Sequence, residues 1–127
     1  MANSGSARYV FGVSFRIEPS TPGTTVEPAT FETDLYREAD APGREGWLFF
    51  RDNLWHGELS DPAHFRDRTE DALGVRVDDV SFSELRTDGA YLDALRDEVG
   101  SSLGEFNADT VDEALSKYLG SSIRVVD

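Results

Sequence analysis

The patterns in this chain change from strand-like to helix-like at the stretch Gly46-Trp47-Leu48-Phe49-Phe50-Arg51-Asp52-Asn53-Leu54-Trp55-His56-Gly57. This stretch holds both tryptophans, two of the eight phenylalanines and one of the two histidines. Its apolar run from Trp47 to Phe50 is typical of a short strand. Asp52 and Asn53 tolerate positive φ, so we expect a tight hairpin that turns there. A single longer strand with a bulge is the alternative.

Two strands are predicted before this stretch. Residues 7–17 alternate cleanly, with Tyr9, Phe11, Val13, Phe15 and Ile17 on one face. Residues 30–37 alternate again and predict a second strand, antiparallel to the first. Between them, residues 19–29 are rich in Ser, Thr, Gly and Pro and predict a connecting loop.

Three helices are predicted after the central stretch. Asp61-Pro62 starts the first and Gly74 ends it, with Phe65, Thr69, Ala72 and Leu73 on one face. Asp88 caps a second helix, in which Leu92, Leu95, Val99, Leu103 and Phe106 share a face. Thr110 and Glu113 form a capping box that opens the third, and Gly120 closes it. Strands are expected at residues 75–85 and 123–126.

This order predicts an α+β fold, in which an antiparallel or mixed sheet of about five strands carries three helices on one face. We expect residues 1–6 to be a disordered tail and residues 7–127 to form a single domain.

The charge balance is the strongest feature of the composition. The chain has 25 acidic and 12 basic residues, a net charge of −13, and Lys117 is its one lysine. Such a surface repels nucleic acid and anionic membranes. An ordinary acidic domain would explain part of this balance, but acid excess together with lysine scarcity favours adaptation to molar salt. The absence of cysteine, of a long apolar run and of a signal pattern leads us to expect a cytoplasmic protein that has no membrane span.

The chain resembles the LWR-salt proteins, a small haloarchaeal family. The resemblance is carried by GWLFFRDNLW at residues 46–55, TFETDLYREAD at 30–40 and DEALSKYLGSSI at 112–123. The family is named for Leu-Trp-Arg, whereas here Leu54-Trp55 is followed by His56. The resemblance implies a haloarchaeal source and salt adaptation, and it implies no activity.

The candidate binding residues all come from the central stretch: Trp47, Arg51, Asp52, Asn53, Trp55 and His56. The tryptophans are either an exposed platform or part of the core, and the core is favoured. Arg51-Asp52-Asn53 is either a turn that contacts a ligand or a turn with an internal ion pair to Glu32 or Asp34, and the ion pair is favoured.

No motif identifies a reaction or a cofactor. His56 and His64 match no known metal-ligand spacing, and we find no nucleotide-binding glycine pattern, nucleophile elbow or zinc or calcium signature. We therefore expect no metal and no cofactor. The function expected is a non-enzymatic module that contacts an unidentified protein or itself. The alternative is a small-molecule pocket near Arg51, Asp52, Trp55 and His56.

Overall fold

The computed structural model describes residues 5–17 and 29–126, and it confirms the α+β class. The predicted loop at residues 19–29, apart from Ala29, and most of the predicted tail lie outside the described residues. The elements are β1 (Ala7–Ile17), β2 (Ala29–Glu38), α1 (Phe49–Asn53), β3 (Leu54–Trp55), β4 (Glu58–Leu59), α2 (Pro62–Leu73), β5 (Arg76–Thr87), α3 (Gly89–Gly100), a 3-10 turn (Leu103–Phe106), α4 (Val111–Leu119) and β6 (Ile123–Val125).

The main sheet has four strands in the order β2-β1-β5-β6. Strand β1 is antiparallel to both of its neighbours, and β6 runs parallel to β5, so the sheet is mixed. Phe11 lies opposite Leu35 on β2 and opposite Phe82 on β5. The two predicted N-terminal strands and their antiparallel pairing are therefore confirmed.

The core lies on one face of this sheet. Strand β1 contributes Tyr9, Phe11 and Val13, which are buried as their alternation predicts. Helices α3 and α4 and the 3-10 turn pack on the same face through the following buried side chains: Tyr91, Leu95, Val99, Phe106, Leu115 and Leu119. We call the opposite face of the sheet the outer face. There Tyr36 lies between two guanidinium groups, with Arg8 5.2 Å and Arg86 5.8 Å from its ring centre.

The strand predicted at Trp47–Phe50 is wrong, and so are the turn at Asp52-Asn53 and the alternative of one bulged strand. Trp47 and Leu48 lie in a turn, and Phe49–Asn53 form the short helix α1. A strand would send Phe49 and Phe50 to opposite faces. The helical backbone lets both reach the core, where Phe49 contacts Tyr9 and Phe50 stacks on Phe106.

Helix α2 begins and ends as predicted, but its predicted apolar face is only half right. The Asp61 carboxylate accepts a hydrogen bond from the backbone N–H of His64, and Gly74 closes the helix at φ 68°. Phe65 stacks on Phe11 with ring centres 5.9 Å apart. Ala72 and Leu73 are exposed, and no residue of α2 is fully buried. The helix therefore rests on the core through little more than Phe65.

The caps of α3 and α4 are confirmed. Asp88 accepts from the N–H of Tyr91 at 2.8 Å, and the Thr110 hydroxyl accepts from the N–H of Glu113 at 3.1 Å. The second predicted helix is shorter than expected, because it ends at Gly100 and the chain then forms the 3-10 turn that buries Phe106. No helix in the described part of the chain is long and apolar enough to cross a membrane.

Candidate functional site

A hairpin does form in the central stretch, but it turns at His56-Gly57. Strands β3 and β4 pair Leu54 with Leu59 and Trp55 with Glu58. His56 and Gly57 have φ values of 51° and 80°, the two successive positive values that a type I′ turn requires. Leu54 and Leu59 point into the core, so Trp55 and Glu58 point outward.

The tip of this hairpin is fixed to the end of α4. The backbone N–H groups of His56 and Gly57 donate to the carbonyls of Lys117 and Tyr118 at 2.9 and 3.0 Å. The approach is close because Gly120 has no side chain. A Cβ built there would lie 3.1 Å from the His56 carbonyl oxygen. The hairpin is therefore held by backbone contacts and does not depend on the exposed side chains it carries.

Those exposed side chains form a small aromatic surface. Trp55 is 48% exposed and meets Tyr118 edge to face, with ring centres 5.8 Å apart. The His56 ring lies 4.6 Å from the Trp55 ring and is also exposed. Tyr118 is half-buried and contacts Phe50 in the core. We call Trp55, His56 and Tyr118 the aromatic patch.

The two tryptophans have different environments. Trp47 is half-buried and packs edge to face on Phe50 and Phe106, so its predicted place in the core is consistent with the structure. Trp55 is not a core residue, and in the hairpin it lies opposite Glu58.

Arg51 is paired within the chain, although not with the predicted partners. Its guanidinium bonds Asp52 Oδ1 through Nε at 3.0 Å and through Nη2 at 2.9 Å, and Nη1 bonds Glu105 Oε2 at 2.9 Å. The hydrogen bond that Arg51 donates to Asp52, with help from Glu105, raises the pKa of Arg51 above its usual value. Neither Glu32 nor Asp34 takes part. The side-chain amide of Asn53 is also held within the chain, since its Nδ2 donates to the Phe49 carbonyl at 3.0 Å.

An open groove lies beside α1, and it gathers only some of the candidate residues. It encloses about 510 Å³ and is lined by Trp47, Asp52 and Asn53 together with Arg37 and Arg44. Arg51, Trp55 and His56 do not line it. The six candidate residues of the sequence therefore do not form one site: Trp55 and His56 belong to the aromatic patch, three others face the groove, and Arg51 is held in ion pairs.

The polar groups near the tryptophans lie at the surface and do not converge in a buried pocket. Arg37 is exposed and stacks over the Phe49 ring at 4.5 Å, and Arg44 is exposed. Among residues 5–17 and 29–126, the one buried side-chain polar atom without a hydrogen-bond partner is Arg16 Nε, which lies on the outer face of the main sheet. In the same residues, no three His, Asp or Glu side chains are placed to hold a metal ion.

Tyr118 is the member of the aromatic patch that the sequence interpretation missed. The signal was present, since Ala114, Leu115, Tyr118 and Leu119 recur with helical spacing on one face of α4. What the sequence does not show is that the tip of a hairpin would meet the end of this helix.

Comparison with known proteins places the chain in a family. The family model described as LWR-salt protein matches residues 5–127, which is nearly the whole chain. Searches of curated proteins and of solved structures find no match. The chain therefore belongs to the LWR-salt protein family.

Proposed function

We propose that this domain is a non-enzymatic protein-interaction module, and that the aromatic patch is its contact surface. The observation that carries the proposal is the exposure of Trp55, nearly half of which is accessible on a hairpin whose backbone is fixed. Large aromatic side chains on a rigid backbone lose little conformational entropy on binding, and tryptophan and tyrosine are enriched among residues that dominate interfaces.

The composition supports a salt-rich environment for this module. A net charge of −13 with one lysine fits a protein that stays hydrated in molar salt. We place the domain in the cytoplasm of a haloarchaeon, where its partner would be another protein or a second copy of this chain. The same charge argues against nucleic acid and anionic membranes as partners.

The test is affinity capture from a haloarchaeal cytosol kept at molar KCl, with mass spectrometry of the captured proteins. Wild type is compared with Trp55→Ala, which removes the exposed ring, and with Leu73→Ala as a matched control, since Leu73 is 39% exposed on α2. We expect a stoichiometric partner with wild type and Leu73→Ala that is lost with Trp55→Ala. Sedimentation equilibrium of the same three proteins detects self-association.

Equal capture by Trp55→Ala and wild type would refute the aromatic patch as the contact surface. His56→Asn is a useful second variant because Asn tolerates the positive φ at this position, whereas Ala would strain the turn. A folded wild-type protein that captures no partner and does not self-associate would contradict the interaction module.

The groove beside α1 supports a second candidate function, the binding of a small organic anion. Within the described part of the chain, neither Arg37 nor Arg44 has a carboxylate at ion-pair distance, and both line the groove above the apolar surface of Trp47 and Phe49. Guanidinium groups bind carboxylates and phosphates well. A thermal-shift screen of mono- and dicarboxylates against wild type and Arg37→Gln/Arg44→Gln tests this candidate, which predicts stabilisation of the wild type alone.

A further inference from the structure

Strand β2 is a long sheet edge that is protected by charged side chains but not by proline, lysine or a bulge. Its ten residues pair with β1 without a register shift, and no other strand of the described chain pairs with its second edge. Natural edges are commonly blunted by proline, by a bulge or by lysine, because free N–H and C=O groups attract other strands. Residues 29–38 contain no proline and no lysine. The edge is therefore able to accept another extended chain.

The outer face of this edge carries unpaired negative charge. Glu32 and Asp34 are exposed, and neither forms an ion pair with another residue of 5–17 or 29–126. Their neighbours on β1 are Ser14 and Gly12, which are neutral. Any chain that pairs with β2 must therefore place its own outer-face side chains beside these carboxylates.

A trough adjoins the edge on the same face. Gly12 has no side chain, and it leaves a depression of about 210 Å³ whose floor includes Ser14 and Ser81. Its walls carry Glu32 and Asp34 from β2 and Asp79 from β5. A Cβ at Gly12 would have Ser81 Oγ as its nearest neighbour at 3.4 Å, so the space above this glycine is free. The trough is open to the end of a long basic side chain.

The other face of the edge is mainly apolar near its start. Phe31 is 44% exposed and stacks on Phe15, with ring centres 5.6 Å apart. Leu35 is half-buried on the same face, which Thr33 and Arg37 share. An added strand beside residues 31–35 would therefore place alternate side chains next to Glu32 and Asp34, and the side chains between them next to Phe31 and Leu35.

A second copy of this chain fits the edge poorly. Two β2 strands related by a twofold axis pair antiparallel, each register is centred on one residue, and the registers that keep most of the strand paired are centred on residues 32–35. Centred on Glu32 or Asp34, the pairing opposes that residue to itself; centred on Thr33, it opposes Glu32 to Asp34; centred on Leu35, it opposes Glu32 to Glu38. Like charges directly opposite one another destabilise a sheet.

We propose that the β2 edge binds an extended segment of a partner protein that carries Lys or Arg at alternate positions and apolar residues between them. The segment pairs antiparallel or parallel with β2, its basic side chains meet Glu32 and Asp34, and one of them enters the trough above Gly12. This surface is separate from the aromatic patch and does not depend on the function proposed for it.

The probe is a fluorescein-labelled, capped peptide of sequence Thr-Lys-Val-Arg-Val-Lys-Thr, with Thr-Glu-Val-Glu-Val-Glu-Thr as its matched acidic control. Binding to the full chain is followed by fluorescence anisotropy at the lowest KCl concentration at which near-UV circular dichroism finds the protein folded, so that charge pairs are screened as little as possible. We expect saturable binding of the basic peptide, with the acidic peptide at least about tenfold weaker because two or more cross-strand charge pairs reverse in sign.

Two variants locate the site. Glu32→Lys/Asp34→Lys should reverse the preference between the peptides. Gly12→Val fills the trough and should weaken binding of the basic peptide about tenfold without lowering the melting temperature, since a β-branched residue suits a strand better than glycine. A structural role for Gly12 would lower the melting temperature, so the two readouts separate the explanations.

Asp71→Lys/Asp93→Lys changes the net charge equally on exposed positions of α2 and α3. It should bind the basic peptide far better than Glu32→Lys/Asp34→Lys does. Equal loss in both double variants would mean nonspecific attraction to an acidic protein and would overturn the proposal. So would equal binding of the two peptides by wild type, or a dimer that Glu32→Lys/Asp34→Lys abolishes. Trp55→Ala should bind the peptide as wild type does.

Discussion

Gly120 is the residue on which the position of the hairpin depends. Its backbone has φ 61° and ψ −135°, a conformation that is essentially restricted to glycine. A Cβ at this position would also lie 3.2 Å from the His56 carbonyl carbon, which belongs to a fixed backbone. The substitution therefore meets both torsional strain and a steric conflict.

We expect Gly120→Ala to lower the free energy of unfolding by about 1–3 kcal/mol, as measured by urea unfolding at molar KCl. Gly104→Ala is the matched control, because a Cβ at Gly104 meets no atom within 4 Å and its φ is not positive. Equal stability of the two variants would mean that the contact between the hairpin tip and the end of α4 contributes nothing to the free energy of unfolding.

Asp88 makes the stability of this domain depend on pH. Its carboxylate accepts from the backbone N–H groups of Tyr91 at 2.8 Å and Ser6 at 2.9 Å, and these bonds hold its pKa below the usual value. A group with a lowered folded-state pKa stabilises the fold above the unfolded-state pKa of about 3.9. That stabilisation is lost as the pH falls through the folded-state value.

Asp88→Asn should therefore be less stable than wild type at pH near neutral, and the difference should shrink as the pH approaches about 3. Urea unfolding at molar KCl, repeated from near-neutral pH down to about pH 3, measures the free energy of unfolding of both proteins. Asp93→Asn, at an exposed position of α3, controls for the loss of one negative charge. A difference between wild type and Asp88→Asn that stays constant with pH would contradict the role assigned to this carboxylate.

At the scale of elements, local patterns predicted most of the structure, and the central stretch is the exception. The strands β1 and β2 alternate strictly, and the caps of α2, α3 and α4 are local hydrogen bonds that the sequence displays. The run Trp47–Phe50 has no period of its own. Its helical turn follows from the stacking of Phe50 on Phe106, a residue more than fifty positions away. The aromatic patch could not be predicted for the same reason, since the contact of the hairpin with Tyr118 is also nonlocal.

Helix α2 should be the least protected helix against hydrogen exchange. None of its residues is fully buried, whereas α3 buries Tyr91, Leu95 and Val99 and α4 buries Ala114, Leu115 and Leu119. Few buried contacts mean a low free energy of local opening. Exchange measured by mass spectrometry at molar KCl should show α2 amides exchanging at least about tenfold faster than those of α3, a ratio that corresponds to about 1.4 kcal/mol.

Protection of α2 equal to that of α3 and α4 would contradict this expectation. The variant Phe65→Ala tests the same expectation, because it removes the stacking of Phe65 on Phe11 and its edge contact with Phe49. Exchange should then increase in α2 and leave α3 unchanged.

At the scale of the molecule, we expect the net charge of −13 to make the fold depend on salt. Self-repulsion among the carboxylates destabilises the compact state in dilute buffer, and at about 1 M salt the screening length falls to about 3 Å. Some carboxylates are neutralised by arginine, such as Asp112 by Arg96 at 2.9 Å, whereas Glu32 and Asp34 have no ion-pair partner among the residues that the structure describes.

We expect structure to be lost below roughly molar KCl, which thermal melts followed by far-UV circular dichroism in a series of KCl concentrations will show. Glu32→Lys/Asp34→Lys should melt higher than wild type in dilute buffer and lose that advantage in concentrated salt. Full folding with an unchanged melting temperature in dilute buffer would contradict salt adaptation.

The strand order has a consequence for how the protein is made. β1 pairs along its whole length with β5, so residues near position 10 find their central partners near position 84. During synthesis the ribosome releases β1 and β2 well before β5. A nascent chain therefore carries a β1–β2 pair whose apolar face and inner edge both stay uncovered until about fifty further residues, 39–87, have emerged. Sheets that close over such long separations in sequence fold slowly and expose surfaces prone to aggregation. The acidic side chains of β2 would then keep nascent chains apart before any core exists.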